Sequence, residues 1–423
     1  MVKNLKQNKI AVSIASLGSA TLINAILVFI VEIINRNILG PERYGYWLTV
    51  SLIFTFAPLF QLGTLNAMNR EIPFYLARNN IEKVNNIRET VYSFIFSVPL
   101  CLMIILLLFS LFLFMTESQY EYKIGLVFAS VIGFFTYLSG YVEMFYKSEQ
   151  NFTKASKLIS IKSISQSLLT VIMVFFFGYL GLYLGMLMAL LIEINAARMT
   201  FPKIRKKHSY SEYKDLINIG FPILLVGIVW SLMIATDRIM ISIFMSPKEL
   251  GNYGVGMLVF NTMMLLPQVI SQVFYPKIVE LVSKRDFLEI KKIYIKTNKI
   301  LAVLMALVVI VGYFLLPYFI IWFMPEYKEG IKTAQILLIG IYPLTLVNIA
   351  ANYFNATNNQ KLYLIIQIGS IIFNVLLCML FINFNKSITS VAIATAICFT
   401  VYSILMNLSF WLKFKKQLCY IEL

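Results

Sequence analysis

Long apolar stretches alternate with short polar connections along the whole chain. Six stretches occupy the first half, at residues 11–34, 45–65, 91–115, 124–146, 158–180 and 182–197. Six more occupy the second half, at residues 219–244, 253–274, 300–323, 334–354, 362–382 and 391–412. A helix that crosses the hydrocarbon core of a bilayer needs roughly 20 apolar residues. The pattern therefore predicts an all-α membrane protein with about twelve transmembrane helices and no large soluble domain.

The composition agrees with this pattern. Hydrophobic residues make up 59% of the 423 residues and charged residues 13%, about half the charged fraction of an ordinary soluble domain. The mean hydropathy of +0.79 excludes a soluble enzyme or a disordered scaffold. The first apolar stretch is too long for a secretory signal, so we expect it to be retained as span one.

Lysine and arginine are distributed unevenly between the two sides of the membrane. Connections on the side of the N-terminus hold 27 of the 36, those on the other side hold 7, and two lie within spans. Because positive charge is retained in the cytoplasm, both termini are expected to be cytoplasmic. Contact with an anionic leaflet explains the net charge of +16 and requires no nucleic-acid partner.

Two short motifs at the same place in the two halves indicate an internal repeat. One follows span one and contains Pro41 and Gly45, and the other follows span seven and contains Pro247 and Gly251. Both pairs have the same offset of 206 residues. Six spans is an even number, so both halves begin on the same side of the membrane, as in transporters with parallel repeats. We expect an N-terminal six-helix bundle, a basic cytoplasmic linker and a C-terminal six-helix bundle, at residues 1–200, 201–218 and 219–423.

Polar residues inside three spans recur at helical spacing and therefore share one helix face. The three stripes are Asn261, Gln268 and Gln272 in span eight, Thr345, Asn348, Asn352 and Asn355 in span ten, and Gln367, Ser370 and Asn374 in span eleven. Lipid penalises polar groups, so each stripe should face another helix or water. One interpretation is hydrogen bonding between helices. The other is a hydrated, sugar-compatible cavity, with the residues of span eight and the pair Asn348 and Asn352 binding substrate.

Two charge pairs lie inside corresponding spans of the two halves. Glu32 and Arg36 are four residues apart in span one and can pair on one helix face. Asp237 and Arg238 lie in span seven, where a charge is costly. One interpretation is a structural ion pair that holds the halves together. The other is a central cleft in which Arg36 and Arg238 bind an anionic head group through bidentate hydrogen bonds.

Four further charged residues lie near the inner ends of spans, where boundary placement or snorkelling explains them. They are Arg70, Glu143, Lys162 and Glu193. The four cysteines lack C-x-x-C spacing and the one histidine, His208, lies in a basic connection. The sequence therefore predicts no metal site, no cofactor and no catalytic residue.

Residues 36–45, Arg-Asn-Ile-Leu-Gly-Pro-Glu-Arg-Tyr-Gly, precede a second span that ends in Gly63 and is followed by Asn69 and Arg70. This run resembles the start of oligosaccharide flippases of the multidrug/oligosaccharidyl-lipid/polysaccharide exporter superfamily. Residues 237–240, Asp-Arg-Ile-Met, and 250–253, Leu-Gly-Asn-Tyr, resemble the start of their second half. The likeness covers essentially the whole chain.

The resemblance implies a V-shaped transporter with the fold of multidrug and toxic compound exporters. It implies transfer of undecaprenyl-diphosphate-linked oligosaccharide repeat units from the inner to the outer leaflet of a bacterial plasma membrane, for O-antigen, capsule or exopolysaccharide assembly, by alternating access. A polysaccharide polymerase and a chain-length regulator would be partners.

By the same analogy the three arginines, Arg36, Arg70 and Arg238, would contact the diphosphate or acidic sugars. Glu32 and Asp237 would balance these charges or take part in ion coupling. The resemblance leaves a proton, sodium or no ion open as the driving species.

Two other classes of function compete with the flippase. A drug or small-solute exporter of the same fold would be expected to favour acidic and aromatic residues in its cleft, whereas here arginine and amide residues accompany the acids. A membrane enzyme such as a repeat-unit polymerase would need a long outer loop with catalytic residues, but the longest outer connections are about ten residues and carry no catalytic motif. We therefore expect the protein not to be an enzyme.

Overall fold

The computed structural model describes residues 2–117, 119–198, 210–357 and 359–422; the side chains of residues 2–24, 272, 276, 416 and 418–422 are outside this description. The regular structure in these ranges is helical. The helices are α1 (Val2–Phe56), α2 (Thr64–Ala77), α3 (Ile81–Ile95), α4 (Val98–Leu113), α5 (Tyr120–Ser148), α6 (Phe152–Phe177), α7 (Tyr179–Arg198), α8 (Tyr210–Phe244), α9 (Pro247–Ser283), α10 (Phe287–Phe323), α11 (Ile331–Thr345), α12 (Asn348–Ala356), α13 (Gln360–Phe384) and α14 (Ile388–Glu422), with 3₁₀ turns at Ala57–Gln61 and Pro325–Gly330.

Ten segments within the described residues are long and apolar enough to cross a membrane. They coincide with predicted spans three to twelve, which are thereby confirmed. The first two predicted spans lie along α1 and α2, where Ala25–Gln61 and Thr64–Ala77 form a pair bent by 48° that could be one further span. The structure therefore gives ten or eleven candidate spans where the sequence predicts about twelve. The difference falls at predicted span one, much of which lies where side chains are not described.

Three inter-helix turns have the same local construction. Asn80, Asn151 and Asp286 cap α3, α6 and α10, and each side chain accepts a hydrogen bond from the backbone N–H three residues later, at 3.0, 3.3 and 3.1 Å. The residue before each cap has a positive φ, of 56°, 59° and 56°. Side-chain acceptors satisfy N–H groups that lack a partner at a helix start, so these turns fix where the three helices begin.

The chain separates into two compact units. The C-terminal unit contains Met1–Leu22, Gly40–Gly45 and Leu232–Leu423, and the N-terminal unit contains Ile23–Leu39 and Tyr46–Ser231. The division after Ser231 falls inside α8, because the first turns of this helix pack with the N-terminal unit. The hydroxyl of Thr90 in α3, for example, donates a 2.7 Å hydrogen bond to Glu212 in α8.

Each unit has its own apolar core. In the N-terminal unit the core lies where α2, α3 and α5 meet, and it contains Ile72, Val84 and Tyr141, all fully buried. In the C-terminal unit α14 is central, and Met406 and Phe410 are fully buried one turn apart. Spacing of four residues places such side chains on one helix face.

The two repeated motifs contact each other within the C-terminal unit. A Cβ atom placed on Gly45 would overlap the backbone of Pro247, and one placed on Gly251 would overlap the backbone of Pro41. The contact is thus reciprocal between positions that the sequence relates by an offset of 206 residues. Gly40, with φ of 72°, breaks α1 immediately before Pro41. The break redirects the chain so that the first motif can reach the second.

Candidate functional site

Arg36 and Glu32 form an ion pair on one face of α1 in the N-terminal unit. Arg36 Nη2 lies 3.3 Å from Glu32 Oε2, and the side chains are 2% and 30% exposed. The spacing of four residues, which is the basis for the predicted pair, places both side chains one turn apart. The Arg36 guanidinium is therefore buried in an apolar span, beside the partly exposed carboxylate of Glu32.

Asp237 lies in α8 within the C-terminal unit and faces α9. Its Oδ1 accepts a 2.7 Å hydrogen bond from the backbone N–H of Arg238, and its Oδ2 accepts a hydrogen bond from the hydroxyl of Tyr253. Adjacent helical residues do not face each other, so the two side chains of the predicted pair point in different directions. Arg238 is half-buried, and its buried Nε has no hydrogen-bond partner among the described residues.

Two buried thiols, one on α13 and one on α14, lie within range of the Asp237 charge. The Asp237 charge acts on the thiols of Cys378 and Cys398, which donate to Asn374 Oδ1 at 3.5 Å and to the carbonyl of Ser370 at 3.2 Å. These side chains are buried. The polar stripe of span eleven therefore faces the interior of its own unit rather than water. For span eleven, burial of the stripe favours the interpretation that its polar residues form hydrogen bonds between helices.

The stripe of span eight has a different environment. Asn261 and Gln268 are exposed on α9, and neither side chain forms a hydrogen bond with another described residue. The Gln272 side chain lies outside the described residues. Amide side chains exposed to lipid on a membrane helix are costly. Binding of substrate by this face therefore stays a prediction.

The stripe of span ten begins at the break between α11 and α12. The half-buried Asn348 donates to the carbonyl of Thr345 at 3.2 Å. Asn352 is 7% exposed, accepts from the Ser271 hydroxyl at 3.1 Å and donates to the Ser271 carbonyl at 3.0 Å. The oxygen and the nitrogen of the Asn352 amide therefore both bond α12 to α9. This favours the interpretation that Asn352 forms hydrogen bonds between helices.

Replacing Asn352 with alanine should lower the stability of the C-terminal unit by about 0.6–2 kcal/mol, the cost of lost hydrogen bonds between membrane helices. Transport per folded molecule should be retained. Thermal unfolding of the purified variant measures the first effect. Asn261→Ala is the matched control, since this exposed amide should change stability little. If Asn352→Ala loses transport but keeps its stability, Asn352 binds substrate rather than joining the helices.

Arg70 lies at the surface of α2. Its side chain is 64% exposed, and its Nε lies 3.7 Å from Glu71 Oε1. Glu71 lines a cavity of about 270 Å³ in the N-terminal unit, between α2, α3 and the start of α8. Arg70 is thus accessible, but it is separate from the buried Glu32 and Arg36 pair.

Sequence reasoning missed one buried charge network. Glu143, Lys162 and Glu193 come from three helices of the N-terminal unit and are linked to one another and to Ser139. The sequence suggests separate boundary charges, because nothing in their spacing reveals that α5, α6 and α7 bring them together. Within the described residues no group of three or more histidine, cysteine or acidic side chains could hold a metal ion.

The described helices that are long and apolar enough to cross a membrane, divided into two units, define a multi-pass membrane protein. The family model described as "Polysaccharide biosynthesis protein" matches residues 10–282, and the MatE model matches residues 222–380. The chain belongs to the polysaccharide biosynthesis protein family. None of the curated proteins compared with the chain matches it.

Solved structures share the fold over nearly the full chain. An inward-facing multidrug resistance MATE family transporter of the MOP superfamily has a TM-score of 0.79 and 14% identity, covering 93% of this chain and 95% of its own. The lipid II flippase MurJ, in an inward closed conformation, has a TM-score of 0.75 and 16% identity, covering 93% and 87%. The match to the polysaccharide biosynthesis family confirms the family resemblance seen in the sequence motifs, and these structures confirm the helical fold.

Proposed function

We propose that the protein moves undecaprenyl-diphosphate-linked oligosaccharide repeat units from the inner to the outer leaflet of a bacterial plasma membrane. The observation that carries this proposal is the match to a polysaccharide biosynthesis family on a chain whose fold is that of transporters and of a lipid II flippase. A diphosphate and several sugars cannot cross hydrocarbon unaided, because each buried charge and unpaired polar group is costly. A polar path through two helical units lowers that barrier.

Arginine is the expected partner for the diphosphate. Its planar guanidinium makes two parallel hydrogen bonds to phosphate oxygens. Arg36 and the half-buried Arg238 lie within spans of the two units, and the exposed Arg70 would make the first contact. The amides of Asn261, Gln268 and Gln272 supply neutral donors and acceptors suited to sugar hydroxyls. Glu32 keeps the buried Arg36 paired until the phosphate replaces it.

Asp237 is the proposed coupling site in the C-terminal unit. It is a buried carboxylate in a membrane span, and such residues mark ion or proton pathways. The Tyr253 hydroxyl and the Arg238 backbone N–H donate to its two oxygens and fix its position. Binding of a cation or proton there would change the balance of charge inside the unit and so favour one transport state.

Replacing Arg36 or Arg238 with alanine should reduce export of the surface polysaccharide roughly 10- to 100-fold at normal expression. Hydrogen bonds to charged groups contribute about 1.5–3 kcal/mol, and 1.36 kcal/mol corresponds to tenfold in rate. Quantified surface polymer in a complemented deletion strain measures the effect. Arg43→Ala, which removes an exposed arginine later in α1, is the control. Unchanged export in both variants would contradict the charge-based mechanism but would not affect the assignment of the chain to its family.

Deletion of the protein in its native host tests the proposed substrate. Surface polysaccharide should disappear, and undecaprenyl-linked repeat units should accumulate on the cytoplasmic leaflet. Single repeat units that reach the outer leaflet and remain unpolymerised would instead indicate a membrane enzyme. We propose that a polymerase and a chain-length regulator act next on the flipped units, and that both termini of the protein are cytoplasmic.

A multidrug exporter is the second candidate, and the match to the MatE model over residues 222–380 favours it. The same deletion strain separates the two functions. Altered drug sensitivity with normal surface polymer would support the exporter and contradict the flippase.

A further inference from the structure

The N-terminal unit buries a network of charges contributed by three neighbouring helices. Lys162 in α6 is hydrogen-bonded to the Glu143 carboxylate in α5, and its Nζ lies 3.1 Å from the hydroxyl oxygen of Ser139. The same Nζ lies 3.7 Å from Glu193 Oε2 in α7. The Ser139 hydroxyl in turn donates to Glu193 Oε2 at 2.5 Å. One ammonium group therefore stands between two carboxylates and is closer to Glu143.

The two carboxylates have unequal surroundings. Glu143 is 14% exposed, and each of its oxygens contacts an ammonium group, Lys162 on one side and Lys147 at 3.2 Å on the other. Glu193 is fully buried, and its Oε1 receives no hydrogen bond from the described residues. An ionised carboxylate that is removed from water and lacks a donor for one oxygen is strongly disfavoured. Each oxygen of Glu143 therefore has a cationic partner, whereas one oxygen of Glu193 has no hydrogen-bond donor among the described residues.

Among the described residues no cation other than Lys162 pairs with Glu193. The groups that act most strongly on it are Lys162, Ser139 and Glu143. On α3, Arg88 is paired with Glu149. On α2, Arg70 lies at the surface, and α4 contains no charged residue. Lys147 contacts Glu143 at the exposed edge of the network.

We propose that this network is a proton-binding site and that Glu193 carries the proton. In the arrangement seen here Lys162 remains with Glu143, and Glu193 is a neutral acid whose Oε2 accepts from the Ser139 hydroxyl. A movement of Lys162 by roughly 1 Å would bring its ammonium group into hydrogen-bonding range of Glu193. Glu193 would then ionise and release its proton to water at the exposed edge, through Glu143. Lys162 stays charged throughout, so the release of one proton leaves one additional negative charge, on Glu193.

This site provides proton coupling to the proposed transport function, on which its physiological role rests. It lies in the N-terminal unit, and Asp237 lies in the other unit. Movement of α6 relative to α5 and α7 during transport would shift Lys162 between the two carboxylates. The position of one ammonium group would thus link the conformation of the unit to proton uptake.

Infrared spectroscopy of the purified protein in lipid nanodiscs at neutral pH tests the proposal directly. A protonated carboxyl group gives a C=O stretching band that ionised carboxylates lack. The wild-type protein should show such a band, and Glu193→Gln, which keeps a side chain of the same shape, should lose it. Asp237→Asn should retain this band. Glu280→Gln, at an exposed carboxylate paired with Lys277 and Lys284, is the matched control and should change nothing.

Two further variants distinguish proton binding from a simple structural ion pair. Glu143→Gln frees Lys162 to pair with Glu193, so the protonated band should disappear. Lys162→Met removes the ammonium group, so the band should persist. A band that is unaffected by Glu193→Gln, or that responds alike to Glu143→Gln and Lys162→Met, would overturn the proposal. The measurement requires no substrate. A result against the proton site would therefore not contradict the flippase proposal. Conversely, the band is expected even if the protein is not a flippase.

Discussion

Alanine at Gly45 should destabilise the protein by about 1–3 kcal/mol, the range for overpacking a close contact. The added methyl group would overlap the backbone of Pro247, which cannot rotate away as a side chain can. Gly251→Ala should have a similar effect, because its methyl group would meet the backbone of Pro41. These are the positions at which the two repeats contact each other within the C-terminal unit. We therefore expect both variants to fold poorly and to export little polysaccharide.

Gly369 in α13 supplies the matched control. Apart from the adjacent turns of its own helix, no described atom lies within 4 Å of a Cβ placed there, so Gly369→Ala should be neutral or stabilise its helix by up to about 1 kcal/mol. Thermal unfolding of the three purified variants in one detergent makes the comparison. If Gly45→Ala unfolds at the same temperature as Gly369→Ala, the close contact between the repeats does not contribute to stability.

Asparagine at Asp237 should reduce export about fivefold or more while leaving the protein folded. The amide oxygen can still accept from Tyr253 or from the backbone N–H of Arg238, so the local hydrogen bonds are largely kept. What is lost is the negative charge, and hydrogen bonds to charged groups exceed neutral ones by about 1 kcal/mol or more. The variant therefore separates the charge of this site from its role in packing.

Asp286→Asn is the corresponding control for Asp237→Asn. Asp286 is an exposed cap of α10, and asparagine caps a helix about as well as aspartate. Surface polymer and the amount of folded protein should be measured for both variants in the same deletion strain. Equal export in the two strains would exclude a coupling role for the Asp237 charge.

The sequence predicts the spans well because the physical signal is local. An apolar run of about 20 residues specifies a membrane helix without reference to its neighbours. Ten predicted spans were found in the described residues for this reason. The repeat was also visible, since a proline and a glycine recur at one offset, and the structure brings these residues into reciprocal contact.

The environment of polar residues could not be predicted in the same way. Periodicity places Asn261 and Gln268 on one face, as it does Gln367 and Asn374, yet the first pair is exposed and the second is buried. Which face is covered depends on the neighbouring helices. Spacing along one helix contains no information about them.

The charged sites show the same limit. The pair Glu32 and Arg36 is predictable because both residues are on one helix. Tyr253, which donates to Asp237, comes from the next helix, and Lys162 joins carboxylates from two other helices. Such contacts arise from tertiary packing, and a single sequence does not reveal which helices are adjacent.

Reconstitution into proteoliposomes tests whether the protein is a flippase. The probe is an undecaprenyl-diphosphate-linked oligosaccharide from the native host with a fluorescent sugar, and a membrane-impermeant reductant reports which leaflet it occupies. We expect the wild-type protein to move the probe between leaflets and Arg36→Ala to do so at least about tenfold more slowly. Movement no faster than in protein-free liposomes, with the protein folded and correctly inserted, would contradict the flippase function.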